Sequence, residues 1–77
     1  MMKELLEVII KGLVDNKDAV SINEKVTNDI ITYQVKVDQS DMGQIIGKQG
    51  KMAKSIRTVM KSVATKEHKK INVEFVG

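Results

Sequence analysis

The 77-residue sequence contains no cysteine, no proline and no tryptophan, and it has one histidine, His68. Without cysteine it can form neither a disulfide framework nor a thiolate metal site. One histidine without other strong ligands does not make a zinc site. No apolar run approaches the ~20 residues that span a bilayer, and nothing resembles a signal peptide. We therefore expect a cytoplasmic protein with no membrane contact, no metal and no cofactor.

Aromatic residues are nearly absent as well, since Tyr33 and Phe75 are the only two. This excludes the kind of aromatic surface on which RNP-type sheets and OB folds stack bases. The sequence also offers no nucleophile–base pair, and a chain this short leaves no room for a deep pocket. We expect a protein that binds another molecule and is not an enzyme.

Positive charge is concentrated in the second half of the chain. Residues 48–70 hold eight lysines and arginines with a single acid and carry a net charge of +7, whereas residues 1–47 carry −3. Residues 51–64 contain no acid at all. Solvated helix faces usually mix charges of both signs, so this one-sided distribution favours a nucleic-acid partner.

Hydrophobic periodicity predicts three helices and three strands. The predicted helices cover residues 2–14, a short segment ending at 46, and residues 51–64, and the predicted strands cover residues 19–26, 31–37 and 71–75. Thr27-Asn28-Asp29 is typical of a hairpin turn, and Ser40 or Asp41 can cap the short helix. The predicted fold is a single α+β domain, a two-layer sandwich with the helices packed on one face of a three-stranded sheet.

The longest predicted helix carries an apolar stripe and a basic face. The stripe consists of Met52, Ile56, Val59, Met60 and Val63. Packing against the sheet explains such a stripe, but a stripe wider than the sheet can cover would instead serve as a dimer face. A domain of this size gains stability from association. The sequence leaves both interpretations open.

The loop Gly47-Lys48-Gln49-Gly50 precedes that helix. Two glycines three positions apart permit a tight turn and a close approach of the backbone to another molecule, and the start of the helix offers unpaired N–H groups to a phosphate. Alternatively, Gly47 is a helix C-cap and Gly50 a turn residue, which explains the glycines but not the lysines beside them. The spacing does not fit a nucleotide P-loop.

The segment Ile45-Ile46-Gly47-Lys48-Gln49-Gly50-Lys51, set between a short and a longer helix, resembles the signature of a KH domain. The order of elements, α-β-β-α-α-β, is that of the type II form, and the resemblance covers essentially all of residues 1–77. The segment Ile56-Arg57-Thr58-Val59 makes the chain similar to KhpA, a family of small single-domain bacterial KH proteins. Two departures are visible: Asn16-Lys17 replaces an expected Asn-Pro, and His68 replaces an expected glycine.

The resemblance implies a site for about four nucleotides of single-stranded nucleic acid, with the glycine loop on the backbone. It assigns RNA contacts to Ile45, Ile46, Gly47, Lys48, Gln49, Gly50, Lys51, Lys54 and Arg57. Lys48 and Gln49 would contact phosphate, and Ile45, Ile46 and Ile56 would form an apolar floor for the bases. Core packing explains Ile46 and Ile56 at least as well, and we expect Tyr33 to be a core residue.

The resemblance also implies partners. It predicts single-stranded RNA as the ligand, with single-stranded DNA as an alternative, a homodimer, and a heteromer with a larger KH protein resembling KhpB. Proteins of this kind are described as probable RNA chaperones or post-transcriptional regulators linked to cell-wall synthesis and cell shape. The alternative is an assembly module in which dimerisation is the main function and RNA contact is secondary.

Overall fold

The computed structural model describes residues 2–76, except for the side chain of Lys48. The helices are α1 (Met2–Leu13), α2 (Gln39–Ile46) and α3 (Lys51–Lys66), and the strands are β1 (Ser21–Thr27), β2 (Ile30–Lys36) and β3 (Lys70–Phe75). The predicted order of elements is confirmed, with bounds close to the predicted ones. Over residues 2–76, no helix is both long and apolar enough to cross a membrane.

The three strands form one mixed sheet in the order β1-β2-β3. β1 and β2 are antiparallel, whereas β2 and β3 are parallel and are connected through α2 and α3. The hairpin between β1 and β2 turns at Asn28 and Asp29, whose φ angles are 52° and 64°. Asn and Asp tolerate this left-handed conformation better than other non-glycine residues. The predicted hairpin turn is confirmed.

One hydrophobic core lies between the sheet and the helices. The sheet contributes Ile22, Tyr33, Val35, Ile71 and Val73, and the helices contribute residues that include Met2, Leu6, Ile10, Ile45, Ile56 and Met60. The opposite face of the sheet carries the residues that alternate with these, most of them polar. This arrangement confirms the predicted two-layer α+β sandwich.

Tyr33 is a core residue, as expected, with 2% of its surface exposed. Glu24 lies opposite Tyr33 in the antiparallel register. Burial raises the pKa of Tyr33, and the charge of Glu24 raises it further. The pairing explains why a glutamate interrupts the apolar alternation of β1.

The N-cap of α2 is Asp38, so the prediction of Ser40 or Asp41 was wrong. The carboxylate of Asp38 accepts hydrogen bonds from the backbone N–H of Ser40 at 3.0 Å and from its hydroxyl at 2.9 Å. These bonds, the backbone one first, together with one from the Asn16 amide, lower the pKa of Asp38. The helix therefore begins two or three residues earlier than predicted, and Asp41 is available for another role.

Asp41 is the buried polar residue of the core, with 2% of its surface exposed. Its two carboxylate oxygens accept hydrogen bonds from the backbone N–H groups of Asp15, at 3.0 Å, and Asn16, at 3.1 Å. They attach the segment after α1 to α2. Asn16 also donates from its side-chain amide to Asp38 at 3.1 Å. These bonds hold the Asn16-Lys17 segment in place without the proline that the family resemblance led us to expect.

Replacing Asp41 tests this anchor. Asp41→Asn removes the charge and turns an amide N–H₂ towards one of the two backbone donors, leaving that donor without an acceptor. We expect the free energy of unfolding to fall by about 1–3 kcal/mol, measured by urea denaturation. Asp18→Asn, an exposed change of the same chemistry, should alter it by less than about 0.5 kcal/mol. Equal effects of the two variants would contradict the anchoring role.

Candidate nucleic-acid interface

The glycine loop reverses the chain between α2 and α3. Gly47 is the C-cap of α2, and its N–H donates to the carbonyl of Gly43 at 2.8 Å. A Cβ atom at position 47 would lie 2.5 Å from that same carbonyl oxygen, so a side chain there would require the backbone to shift. Gly50 has a φ of 71°, a conformation that glycine adopts without strain. The interpretation of Gly47 as a C-cap and Gly50 as a turn residue is therefore confirmed.

These local roles of the two glycines are compatible with a role in binding, because the turn leaves the start of α3 exposed. Gly50 is the N-cap of α3 and provides no side-chain hydrogen bond, and the first turn of the helix contains no acid. The first N–H groups of a sixteen-residue helix therefore point out at the loop with the positive end of the helix dipole. Gln49, with a φ of 63°, is exposed beside them. Such a helix start favours an anion such as phosphate.

Of the three lysines predicted at this site, two are exposed and the side chain of the third is not described. Lys51 and Lys54 are exposed, and within residues 2–76 neither takes part in a salt bridge. The side chain of Lys48 lies outside the described part of the chain, so its phosphate contact stays a prediction. Two lysines are therefore free to meet an anion at the start of α3.

The apolar residues predicted to support the bases are mostly in the core. Ile45 is 1% exposed and Ile56 is 4% exposed, so a base cannot contact them without a rearrangement of the fold. Ile46, in contrast, is 48% exposed at the end of α2. The orientation of α2 over the sheet turns Ile45 inwards and Ile46 outwards. Of the three isoleucines, Ile46 is the one whose predicted contact with a base is compatible with its exposure.

Arg57 links α3 to the edge strand β3. Its Nε–H donates to the backbone carbonyl of Val73 at 2.9 Å, and its guanidinium carbon lies over the ring of Phe75, 5.4 Å from the centroid. The side chain is partly buried. Sequence reasoning placed Arg57 beside the binding groove but did not foresee these two contacts, because residues so far apart in the chain show no periodic relation.

α3 presents its polar and apolar residues on two separate flanks. Its buried face consists of Ala53, Ile56, Met60 and Ala64. At 100° per residue, Lys54, Arg57 and Lys61 lie on one side of that face, and Met52, Val59 and Val63 lie on the other. Ala53 and Ala64 were missed by the sequence prediction because small residues contribute little to an apolar pattern.

The predicted apolar stripe is therefore split between the core and the surface. Ile56 and Met60 are buried in the core of this chain and are not available to a partner, and Val63 is partly buried against that core. Met52 is 38% exposed and Val59 is 47% exposed. The part of the stripe that can meet another protein is Met52 and Val59.

Met52 and Val59 line a shallow apolar groove of about 960 Å³. Its other walls include Ile9 and Leu13 of α1, Gly43 of α2, the C-cap Gly47 and Lys51 of α3. The groove begins at the glycine loop and lies on the flank of α3 away from Lys54 and Lys61. The same helix therefore borders a cationic surface on one side and an apolar surface on the other.

α3 is followed by a residue in the left-handed conformation, His68. His68 has a φ of 59°, and its N–H donates to the carbonyl of Thr65 at 3.1 Å. The histidine thus adopts the left-handed conformation for which a glycine was expected. Within residues 2–76, no three His, Cys, Asp or Glu side chains are grouped to hold a metal ion.

Comparison with known proteins places these features in a family. The family model for the KhpA/KhpB KH domain matches residues 3–75. The chain is 51% identical to RNA-binding protein KhpA of Clostridium perfringens, over 97% of this chain and 100% of the relative. It is 44% identical to RNA-binding protein KhpA of Listeria monocytogenes, over 97% of this chain and 99% of the relative.

A solved structure shares the fold at low sequence identity. A crystal structure of a variant of Aquifex aeolicus Era, in complex with GDP and aluminium fluoride, matches with a TM-score of 0.60 and 20% identity. The match covers 96% of this chain and 29% of the Era chain. At this identity the likeness shows the fold alone.

The contact between positions 47 and 43 can be tested with two matched glycine substitutions. Gly47→Ala places a methyl group against the carbonyl of Gly43, and we expect it to lower the free energy of unfolding by about 1–3 kcal/mol. Gly43→Ala meets no atom within 4 Å and lies inside α2, so it should be neutral or stabilising by up to about 1 kcal/mol. Thermal or urea unfolding measures both, and equal stability of the two variants would contradict the close approach.

Proposed function

Because this chain belongs to the KhpA/KhpB family of KH domains, we propose that it binds single-stranded RNA and catalyses no reaction. Residues 1–77 act as a single KH domain in this proposal. The observation that carries it is the turn at Gly47–Gly50, in which Gln49 is exposed and which leads into a start of α3 that no side chain caps. The name of the relatives, RNA-binding protein KhpA, supports RNA as the ligand.

The phosphate backbone is held by the loop and the first turn of α3. The N–H groups at the helix start donate to phosphate oxygens, and the turn at Gly47 and Gly50 lets the strand approach the main chain closely. Lys48 and Gln49 extend this contact from the loop, while Lys51 and Lys54 add charge from the helix. Charge of this kind attracts any phosphate backbone, so affinity is modest, sequence preference is weak, and single-stranded DNA competes.

The bases lie beside the loop, on the flank of α3 that carries Lys54 and Arg57. Ile46 is the exposed apolar residue next to the loop and contacts a base there. Ile45 and Ile56 support this arrangement from within the core by fixing α2 and α3 against each other. A site of this size accommodates about four nucleotides.

The double substitution Lys48→Asp with Gln49→Asp tests the loop. It replaces one positive and one neutral side chain by two carboxylates where the phosphate would lie, so we expect no measurable binding to a short unpaired RNA by fluorescence polarisation. Position 49 has a left-handed conformation that aspartate tolerates, and the folded structure should therefore persist. Circular dichroism and thermal unfolding check this.

The matched control is Asn23→Asp with Lys25→Asp, two exposed positions of β1. It changes the net charge by the same amount and should retain most of the binding. For the unsubstituted protein, contact with three or four phosphates gives a slope of log affinity against log salt of roughly −2 to −3. Wild-type affinity in the loop variant, or an affinity that does not depend on salt, would refute the proposed contact between the loop and the phosphate backbone.

A second proposed function is assembly through the apolar flank of α3. Met52 and Val59 are exposed in the groove that α3 forms with Ile9 and Leu13 of α1, and water-exposed apolar surface of this kind favours burial by a partner. A second copy of the chain would cover the groove and form a homodimer. Lys54 and Arg57 lie on the other side of α3, whereas Gly47 and Lys51 line the groove itself, so a partner in the groove would share these two residues with the RNA.

The family also suggests a heteromeric partner and a cellular role. The matching family model describes KhpA and KhpB together, which supports a larger KhpB-like KH protein as an alternative occupant of the same groove. Action as an RNA chaperone or post-transcriptional regulator, with effects on cell-wall synthesis and cell shape, is proposed on the family resemblance. Crosslinking in cells, with the wild type and the loop variant compared, would identify the transcripts.

Val59→Lys tests the assembly surface. Because Val59 is 47% exposed, the substitution should leave the monomer folded while placing a charge in the groove. We expect the wild type to be a dimer and Val59→Lys to be a folded monomer in analytical ultracentrifugation. Thr58→Lys adds the same charge to the neighbouring exposed position and should stay dimeric. A dimeric Val59→Lys variant would exclude this face as the interface.

A further inference from the structure

The aromatic rings of this domain are poorly placed to stack a base at the glycine loop, since the exposed imidazole of His68 lies beyond the opposite end of α3. The chain has two aromatic residues, and Tyr33 is 2% exposed in the core. Phe75 is partly buried, and Arg57 lies over its ring. Proteins that bind unpaired strands commonly stack bases on aromatic rings or on arginine guanidinium planes. Arg57 is therefore the planar group that this surface offers to a base.

Two contacts fix the orientation of the Arg57 guanidinium group. Its Nε–H donates to the carbonyl of Val73 at 2.9 Å, and its guanidinium carbon lies over the ring of Phe75, 5.4 Å from the centroid. The side chain stays partly exposed, and the four Nη hydrogens are not used by these contacts. An arginine held in this way loses little side-chain entropy when a base settles on it.

The position of Arg57 relative to the loop suits a strand held at Gly47–Gly50. Arg57 follows Lys54 by three residues, so the two side chains are neighbours on one flank of α3. It follows Lys51, the first residue of the helix, by six residues, which corresponds to about 9 Å along the helix axis. A strand whose backbone lies at the helix start therefore passes beside Arg57.

We infer that Arg57 is the stacking platform for one unpaired base, and that Phe75 and the Val73 carbonyl are the groups that position it. This inference rests on the proposed RNA binding and adds a specific contact to it. Arg57 then discriminates a strand that carries a base at this point from a bare sugar-phosphate backbone. Phe75 acts through Arg57 and does not contact the RNA.

The test compares tetra-adenylate with tetramers from which one base has been removed at each position in turn. A strand of four nucleotides fills the expected site and cannot slide. In the wild type, removal of one particular base should weaken binding about 5- to 100-fold in an NMR titration. Arg57→Lys keeps the charge but loses the plane, so that penalty should disappear while the salt dependence stays the same.

Phe75 provides the positioning control. Phe75→Leu removes the ring beneath the guanidinium and should reduce the penalty for the missing base, whereas Phe75→Tyr keeps the ring and should preserve it. The unsubstituted protein offers a further measurement by NMR. The Nε–Hε signal of Arg57 should move upfield when tetra-adenylate is added and should not move when the tetramer that lacks the stacked base is added.

The possible results separate this inference from the proposed function. If Arg57→Lys weakens all tetramers equally, or if the penalty persists in that variant, Arg57 is not the platform. An Nε–Hε signal that does not respond to the bases overturns the inference even if a variant fails to fold. If the wild type binds none of the tetramers at any salt concentration, RNA binding itself is refuted.

Discussion

The binding surface depends on one close approach of the main chain to itself. The backbone of Gly47 passes so near the carbonyl of Gly43 that a Cβ atom would lie 2.5 Å from its oxygen. Because Gly47 has no side chain, α2 can end and the chain can reverse within four residues before α3 begins. The direction of the first N–H groups of α3, and hence the place where a phosphate would be held, follows from this contact.

The residues of α3 that pack into the core and those that face solvent lie on different sides of the helix. Ala53, Ile56, Met60 and Ala64 attach it to the sheet, and this leaves two flanks free for different partners. One flank carries positive charge and the arginine that reaches β3, while the other carries Met52 and Val59 beside α1. A sixteen-residue helix in a 77-residue protein thereby serves the core and two surfaces at once.

The sequence predicted the elements well because their burial follows simple periods. The alternation around Tyr33 and the helical spacing of Leu6, Ile10 and Val14 correspond to the observed core, whereas Leu5 and Leu13 of the same predicted stripe are exposed. The cap of α2 was mistaken because Asp38, Ser40 and Asp41 are all good capping residues, and only the tertiary position of the segment after α1 decides that Asp41 turns inwards. In the same way, the orientation of α2 decides that Ile46, and not Ile45, reaches the surface. The contact of Arg57 with Val73 and Phe75 joins distant segments, and no local pattern encodes it.

The hydrogen bond from Arg57 to Val73 also affects how the sheet ends. β3 is an edge strand, and edge strands present unpaired main-chain groups to which a strand of another molecule can add. The Val73 carbonyl is occupied by the guanidinium group at 2.9 Å, and the bulk of that side chain lies across the neighbouring Phe75. An incoming strand would have to displace a cation before it could extend the sheet at this edge.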